Sequence, residues 1–101
     1  MFRLSFLMSL LLLAMHGNWH DHYTTAGGVP CCGRSDCTMA HVRVLEMGNK
    51  TMTIEINGEQ IVIPVRSFHQ SEDSHDWWCA ADPTKPIASW NTRCVFLAVG
   101  S

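Results

Sequence analysis

Residues 51–64 read TMTIEINGEQIVIP and decide the fold of this chain. In the first half of this stretch, Met52, Ile54 and Ile56 alternate with polar residues. A two-residue period is typical of a β-strand that has one buried and one exposed face. The pattern therefore predicts a strand whose three apolar side chains enter a core.

The second half of the stretch predicts a hairpin. Asn57-Gly58 joins two alternating runs, and both residues tolerate a positive φ, which the tightest hairpin turns require. Residues 59–65 are the expected return strand, and Pro64 marks its edge or its end because proline has no amide hydrogen to donate. Residues 41–46 alternate in part, which adds a third strand before the hairpin and completes an antiparallel meander.

The rest of the chain is less regular. Residues 16–30 contain glycines and a proline and show no apolar period, so we expect an irregular arm whose aromatic side chains dock on the domain. Residues 67–91 have loop character, and residues 93–99 predict a last buried strand. The expected core includes three tryptophans, Trp77, Trp78 and Trp90.

The predicted fold class is therefore small and mostly β. We expect a disulfide-stapled antiparallel meander or a partly open barrel, preceded by the irregular arm. A chain of 101 residues is one small domain, which has a marginal core and commonly needs disulfides or a metal.

The first 17 residues predict an export signal. One positive charge, Arg3, precedes a short apolar run that stops at His16, which is too short for a comfortable membrane span of about 20 residues. Small residues place the cleavage near positions 14–17. Residues 18–101 would then be the single mature domain, exported to the periplasm or the extracellular space, with no stable membrane span.

Composition excludes some partners. The formal net charge is −2 at pH 7, and loss of Arg3 with the signal would make it −3. No basic stripe is present to neutralise phosphates, which argues against nucleic acid and against anionic membranes as partners.

Five cysteines follow the apolar segment: Cys31, Cys32, Cys37, Cys79 and Cys94. In an exported protein they predict disulfides, and an odd number leaves one thiol unpaired. The favoured pattern ties each of the two late cysteines to one of the three early ones. The remaining thiol could stay free, bind a ligand, or join two copies in a covalent homodimer.

The cysteine spacing also resembles a group of small exported proteins common in alphaproteobacteria and their phages. The matching pieces are residues 19–23, the Cys-Cys-x-x-x-Asp-Cys-like element at 31–37, the Ser-x-Asp…His loop that leads to Cys79, and residues 93–96. The group has no assigned activity, so the resemblance implies an exported, disulfide-bonded fold and no chemistry.

Histidines suggest a metal alternative. His20 and His22 share one side of an extended segment, and His75 lies in a polar loop. Imidazoles bind copper and zinc. Cleavage after Gly17 would also leave Asn18-Trp19-His20 at a free amino terminus, a set that favours Cu(II) or Ni(II). No cofactor is otherwise expected.

The sequence carries no catalytic signature. His69 and His75 lie in one hydrophilic stretch with Glu72, Asp73 and Asp76, but no nucleophile elbow, phosphate loop or Cys-x-x-Cys is present. We therefore expect a binding or structural module of the envelope or extracellular space, with Trp77 and Trp78 as partner-binding candidates. A periplasmic metal-binding protein and a thiol-dependent redox protein are the alternatives.

Overall fold

The computed structural model describes Trp19, residues 23–31 and residues 37–99. Seven strands lie in this part of the chain and form two separate sheets. The first sheet is the predicted meander, in the order β2-β3-β4, with β2 at Val42–Met47, β3 at Thr51–Ile56 and β4 at Glu59–Pro64. Both of its pairings are antiparallel.

The hairpin between β3 and β4 has the predicted turn. Asn57 has φ of 51° and Gly58 has φ of 91°, and a positive φ at both positions fits the twist of a two-residue hairpin. The Asn57 side-chain oxygen also accepts a hydrogen bond from the backbone amide of His41 at 2.8 Å, and the Asn57 backbone amide donates to the carbonyl of His41 at 2.9 Å. The turn is thereby tied to the residue that precedes β2.

The second sheet has four strands in the order β1-β6-β7-β5. They are β1 at Cys37–Ala40, β5 at Phe68–Gln70, β6 at Asp76–Ala80 and β7 at Thr92–Leu97. The predicted last strand is confirmed. The prediction of loop structure over residues 67–91 is wrong in part, because this stretch contains β5 and β6. These strands escape sequence analysis because β6 buries both of its faces, which removes the alternation, and β5 has only three residues.

One face of the four-stranded sheet packs on the meander and forms the main core. The residues of this core share near-complete burial: Val42, Met52, Ile54, Ile56, Ile61, Ile63, Trp78, Ala80 and Val95. Met52, Ile54 and Ile56 are 2%, 0% and 0% exposed, so the face predicted from residues 51–56 is confirmed. The two sheets stack without closing into a barrel.

The opposite face of the four-stranded sheet is covered by the N-terminal arm. Cys31, Cys79, Cys94 and Phe96 form a second buried cluster, on which Trp19 and Tyr23 pack. Their rings meet Phe96 edge to face, with centroids 5.0 and 5.3 Å away. The expected docking of the arm's aromatic side chains is confirmed for these two residues.

Two disulfides fix this layered arrangement. Cys31 pairs with Cys94, and Cys37 pairs with Cys79. The first joins the arm to β7, and the second joins the neighbouring strands β1 and β6. Each late cysteine thus bonds to one of the early three, as favoured. Two disulfides in so small a domain are typical of an oxidising, non-cytosolic environment.

The tryptophans do not all enter the core. Trp78 is 7% exposed and belongs to the main core, but Trp90 is 69% exposed, so its expected core position is wrong. Trp90 lies in a 3₁₀ turn at Ser89–Asn91, and Asn91 is the residue of that turn that faces inward. Across the part of the chain that the structure describes, no helix has the length and apolar character needed to span a bilayer.

Candidate functional site

A sulfur and imidazole cluster lies under the arm. Within the described residues, Cys31, Cys94 and His69 are the one group of three whose potential ligand atoms lie within 4.8 Å of one another. The strands bring them together, because His69 of β5 is paired in parallel with Phe96 of β7, two residues after Cys94. The two sulfurs are joined as a disulfide in this structure.

The His69 ring is held by its neighbours on both sides. Its Nε2 lies 2.9 Å from the carbonyl oxygen of Thr24. Because a carbonyl only accepts, Nε2 is the donor in this contact, and in the neutral tautomer with this hydrogen bond Nδ1 has the lone pair. The ring packs against Tyr23 and Phe96, with centroids 5.0 and 5.3 Å away. The imidazole is therefore oriented, half-buried and next to the disulfide.

A carboxylate anchors the polar loop between β5 and β6. Asp73 accepts hydrogen bonds from the Trp77 indole at 3.0 Å, the His75 amide at 2.9 Å and the Ser71 hydroxyl at 2.9 Å. Partial desolvation raises the pKa of Asp73, but these hydrogen bonds, with the nearby His75 imidazole, outweigh it and hold the pKa below its ordinary value of 3.8. The loop is thus ordered around one charge.

This arrangement predicts an acid-labile part of the stability. A carboxyl whose pKa is lower in the folded state than in the unfolded state stabilises the fold at pH values above its unfolded pKa. For Asp73 this contribution is lost as the pH falls below about 3.8 and then through the folded-state pKa. Asp73→Asn should lower the free energy of unfolding by about 1 kcal/mol at pH 7 and by less at pH 3, because the contribution declines once the pH is below about 3.8. Urea unfolding at both pH values measures it.

Glu46→Gln is the matched control for Asp73→Asn. Glu46 is an exposed carboxylate on β2, so its neutralisation should change the free energy of unfolding little at either pH. Equal losses for Asp73→Asn at pH 7 and pH 3 would contradict the role of the Asp73 charge.

A second hydrogen bond ties this loop to the arm. The Tyr23 hydroxyl donates to Glu72 Oε2 at 2.7 Å. That hydrogen bond, with desolvation and the charge of Glu72, raises the pKa of Tyr23 above its ordinary value of 10.0. The hydroxyl therefore keeps its proton, and the bond persists, throughout the neutral range.

His75 lines a small cleft rather than the sulfur cluster. The cleft has a volume of about 280 Å³, and its lining includes Met39, His41, His75 and Asp76. Both Asp76 oxygens accept backbone hydrogen bonds, from Val42 at 3.0 Å and from Ala98 at 2.8 Å. Asp76 thus joins the two sheets, and the two histidines flank it.

The two tryptophans singled out from the sequence occupy opposite faces of β6. Trp78 is buried in the main core, and its indole donates to Thr92 Oγ1 at 2.9 Å. Trp77 is half-buried on the arm side and donates to Asp73. Both indoles are used within the fold, so the side chain best placed for a partner is Trp90.

The loop that carries Trp90 is fixed by a buried amide that sequence analysis does not single out. Asn91 is 0% exposed; its Oδ1 accepts from the Asp82 amide at 2.8 Å, and its Nδ2 lies 3.0–3.2 Å from three carbonyl oxygens. Those carbonyls belong to Asp82, Lys85 and Pro86. No local pattern predicts such a network, because its partners are turn backbone atoms.

Several predicted site residues lie outside the described part of the chain. They are His20 and His22, two of the three metal candidates; Cys32, the cysteine left over by the two bridges; and Asn18 of the amino-terminal copper set. Among the described residues, His69 is the histidine that lies beside potential thiolate ligands. The sequence does not predict this position for His69, because it depends on the non-local parallel pairing of β5 with β7.

Comparisons of this chain with protein-family models, with curated proteins and with solved structures find no match.

Proposed function

We propose that this protein is an exported, disulfide-stapled interaction module of the cell envelope or extracellular space, and that Trp90 is its main contact residue. The observation that carries the proposal is the exposure of Trp90, 69%, next to Asn91, which is buried and hydrogen-bonded to the turn backbone. The other three tryptophans, Trp19, Trp77 and Trp78, are buried or half-buried.

The Trp90 loop is held on both sides of the exposed indole. On one side, the Ser89 hydroxyl accepts a hydrogen bond from the amide of Val62 on β4 at 3.1 Å. On the other, Asn91 is buried with all its side-chain polar atoms bonded, and the Thr92 hydroxyl donates to the Ala88 carbonyl at 2.7 Å. The backbone at Trp90 is thereby preorganised.

Preorganisation favours binding because the loop loses little further entropy when a partner docks. Tryptophan is also the residue type most enriched among side chains that dominate binding energy. Val62 on β4 is also 48% exposed, and its backbone amide donates to the hydroxyl of Ser89, the residue before Trp90. A protein or envelope partner with an apolar pocket for the indole fits this surface.

Export is supported by two observations of different kinds. The apolar run of residues 4–15 behind Arg3 has the composition of an export signal, and the folded domain carries two disulfides. Disulfides persist in oxidising compartments, so the fold and the leading segment point to the same destination.

The proposal is tested by site-specific photo-crosslinking of the full chain in cells. Trp90 is replaced by a photoreactive phenylalanine analogue, and the exported fraction is irradiated and analysed by mass. We expect a discrete adduct at position 90. Trp90→Ala should change the free energy of unfolding by less than about 0.5 kcal/mol, because the indole is exposed.

The matched control places the same photoreactive residue at Met47. Met47 is 57% exposed on β2, at the far edge of the meander from β4. The adduct should be absent there. Absence of an adduct at position 90, or equal labelling at both positions, would contradict the role of Trp90. Retention of the whole chain in the cytosol with reduced cysteines would contradict export.

A further inference from the structure

We propose that Cys31, Cys94 and His69 form a Zn²⁺ site when the disulfide between the two cysteines is reduced. The metal-bound dithiol and the disulfide are then two exclusive states of one cluster. This inference does not depend on the interaction role of Trp90, which lies on a different loop.

The distances fit a zinc site after a small movement. Zinc binds thiolate sulfur at about 2.3 Å and imidazole nitrogen at about 2.0 Å in a tetrahedral arrangement, so two bound sulfurs lie about 3.8 Å apart. The three potential ligand atoms already lie within 4.8 Å of one another. Breaking the bridge and rotating the two cysteine side chains brings the sulfurs to that separation.

His69 already makes the hydrogen bond that zinc-bound histidines make through their second ring nitrogen. Zinc-bound histidines almost always donate their second ring N–H to a carbonyl or carboxylate, which fixes the tautomer and the ring orientation. In this structure His69 Nε2–H donates to the Thr24 carbonyl at 2.9 Å. Nδ1 is therefore the nitrogen that has a lone pair to offer.

Hydrogen bonds of the arm do not involve the bridge, and they hold Cys31 near its partners after reduction even though the arm loosens. The Ala26 amide donates to Ser67 Oγ at 2.9 Å, and the Tyr23 hydroxyl donates to Glu72 at 2.7 Å. The Cys31 amide also donates to the Tyr23 carbonyl at 2.9 Å. These contacts are independent of the sulfur chemistry.

The chemistry balances with a dithiol as the reductant. The dithiol gives two electrons and two protons to the bridge and becomes a disulfide, which leaves thiols at Cys31 and Cys94. Zn²⁺ then displaces both thiol protons to solvent and binds two thiolates and one imidazole, with its fourth position open to water. Zn²⁺ does not change its oxidation state, so binding it does not oxidise the thiolates.

The second disulfide provides an internal comparison. Cys37 and Cys79 are also buried or half-buried and adjacent on paired strands. Within the described residues, the group of three potential ligands includes neither of them. The proposed affinity therefore belongs to one bridge of the two.

The experiment uses the full chain with Cys32→Ser, which removes the fifth thiol. The protein is reduced with excess dithiol, separated from it without oxygen, and titrated with Zn²⁺ against a chelating indicator. In parallel, thiols are alkylated with and without Zn²⁺, and each cysteine is quantified by peptide mass. His69→Ala and His75→Ala are compared in this background; their oxidised forms are first shown to be folded.

We expect one Zn²⁺ per chain and slower alkylation of Cys31 and Cys94 than of Cys37 and Cys79. His69→Ala should weaken zinc binding by about tenfold or more, whereas His75→Ala should leave it unchanged. Equal protection of all four thiols, unchanged affinity in His69→Ala, or no protection by Zn²⁺, including in a reduced chain that stays unfolded, would overturn the proposal.

Discussion

Removing the Cys31–Cys94 disulfide, by Cys31→Ala with Cys94→Ala, should lower the free energy of unfolding by about 4 kcal/mol. The bridge spans 63 residues, and in the chain-entropy model a loop of this length restricts the unfolded chain by about that amount. Small domains are stable by only about 5–15 kcal/mol, so the loss is a large fraction of the total. Urea unfolding followed by far-ultraviolet circular dichroism measures it.

The bridge from Cys37 to Cys79 supplies the matched control. It spans 42 residues, so Cys37→Ala with Cys79→Ala should cost a similar free energy. The two double variants should nevertheless differ in the arm. Loss of the bond to Cys94 releases the covalent hold on the arm, whereas β1 is held to β6 by backbone hydrogen bonds as well.

The aromatic signal of the arm separates the two variants. Near-ultraviolet dichroism of Trp19 and Tyr23, which pack on Phe96, should weaken in the first double variant and stay close to wild type in the second. Equal stability of the Cys31→Ala, Cys94→Ala protein and the wild type would contradict the stapling role of this disulfide.

The meander could be predicted because its information is local. Alternation over residues 51–56, the Asn57-Gly58 turn and the stop at Pro64 each act within a few residues, and the structure confirms all three. A single pairing register satisfies them together, since a slip by one residue would turn Ile54 and its neighbours toward water. This is why the hairpin is recoverable from the sequence alone.

The four-stranded sheet could not be predicted in the same way. β6 has one face on the main core and the other on the cysteine cluster, so Trp77 and Trp78 are both apolar and no alternation is left to detect. β5 pairs with β7 in parallel, and a parallel pair has no turn that signals it. Loop residues 71–75 separate the two short strands and add to the polar character of the stretch.

The candidate sites depend on contacts between distant parts of the chain. His69 lies beside Cys94 only because β5 and β7 are neighbours, and Asn91 is buried because turn carbonyls surround its amide. The compositional signal of the cysteines was enough to predict bridges and to favour the type of pairing. It was not enough to place an imidazole next to one of them.

Phe96→Ala should lower the free energy of unfolding by about 3–5 kcal/mol. Phe96 is 0% exposed and is the ring on which Trp19, Tyr23 and His69 all pack. Truncation removes the transfer free energy of the ring and leaves a cavity between the sheet and the arm, because the surrounding structure relaxes only in part. Thermal and urea unfolding measure the loss.

Phe68→Ala distinguishes a general loss of packing from a local opening of the arm. Phe68 lies on β5 against the main core, on the opposite face of the same sheet. Both variants should unfold more readily, but Phe96→Ala should also speed reduction of the Cys31–Cys94 disulfide by a small dithiol, because its sulfurs lie in the Phe96 cluster. Reduction is followed by alkylation and peptide mass under conditions where each variant stays folded. Equal acceleration by both variants would mean that global unfolding, rather than the arm, controls access to the bridge.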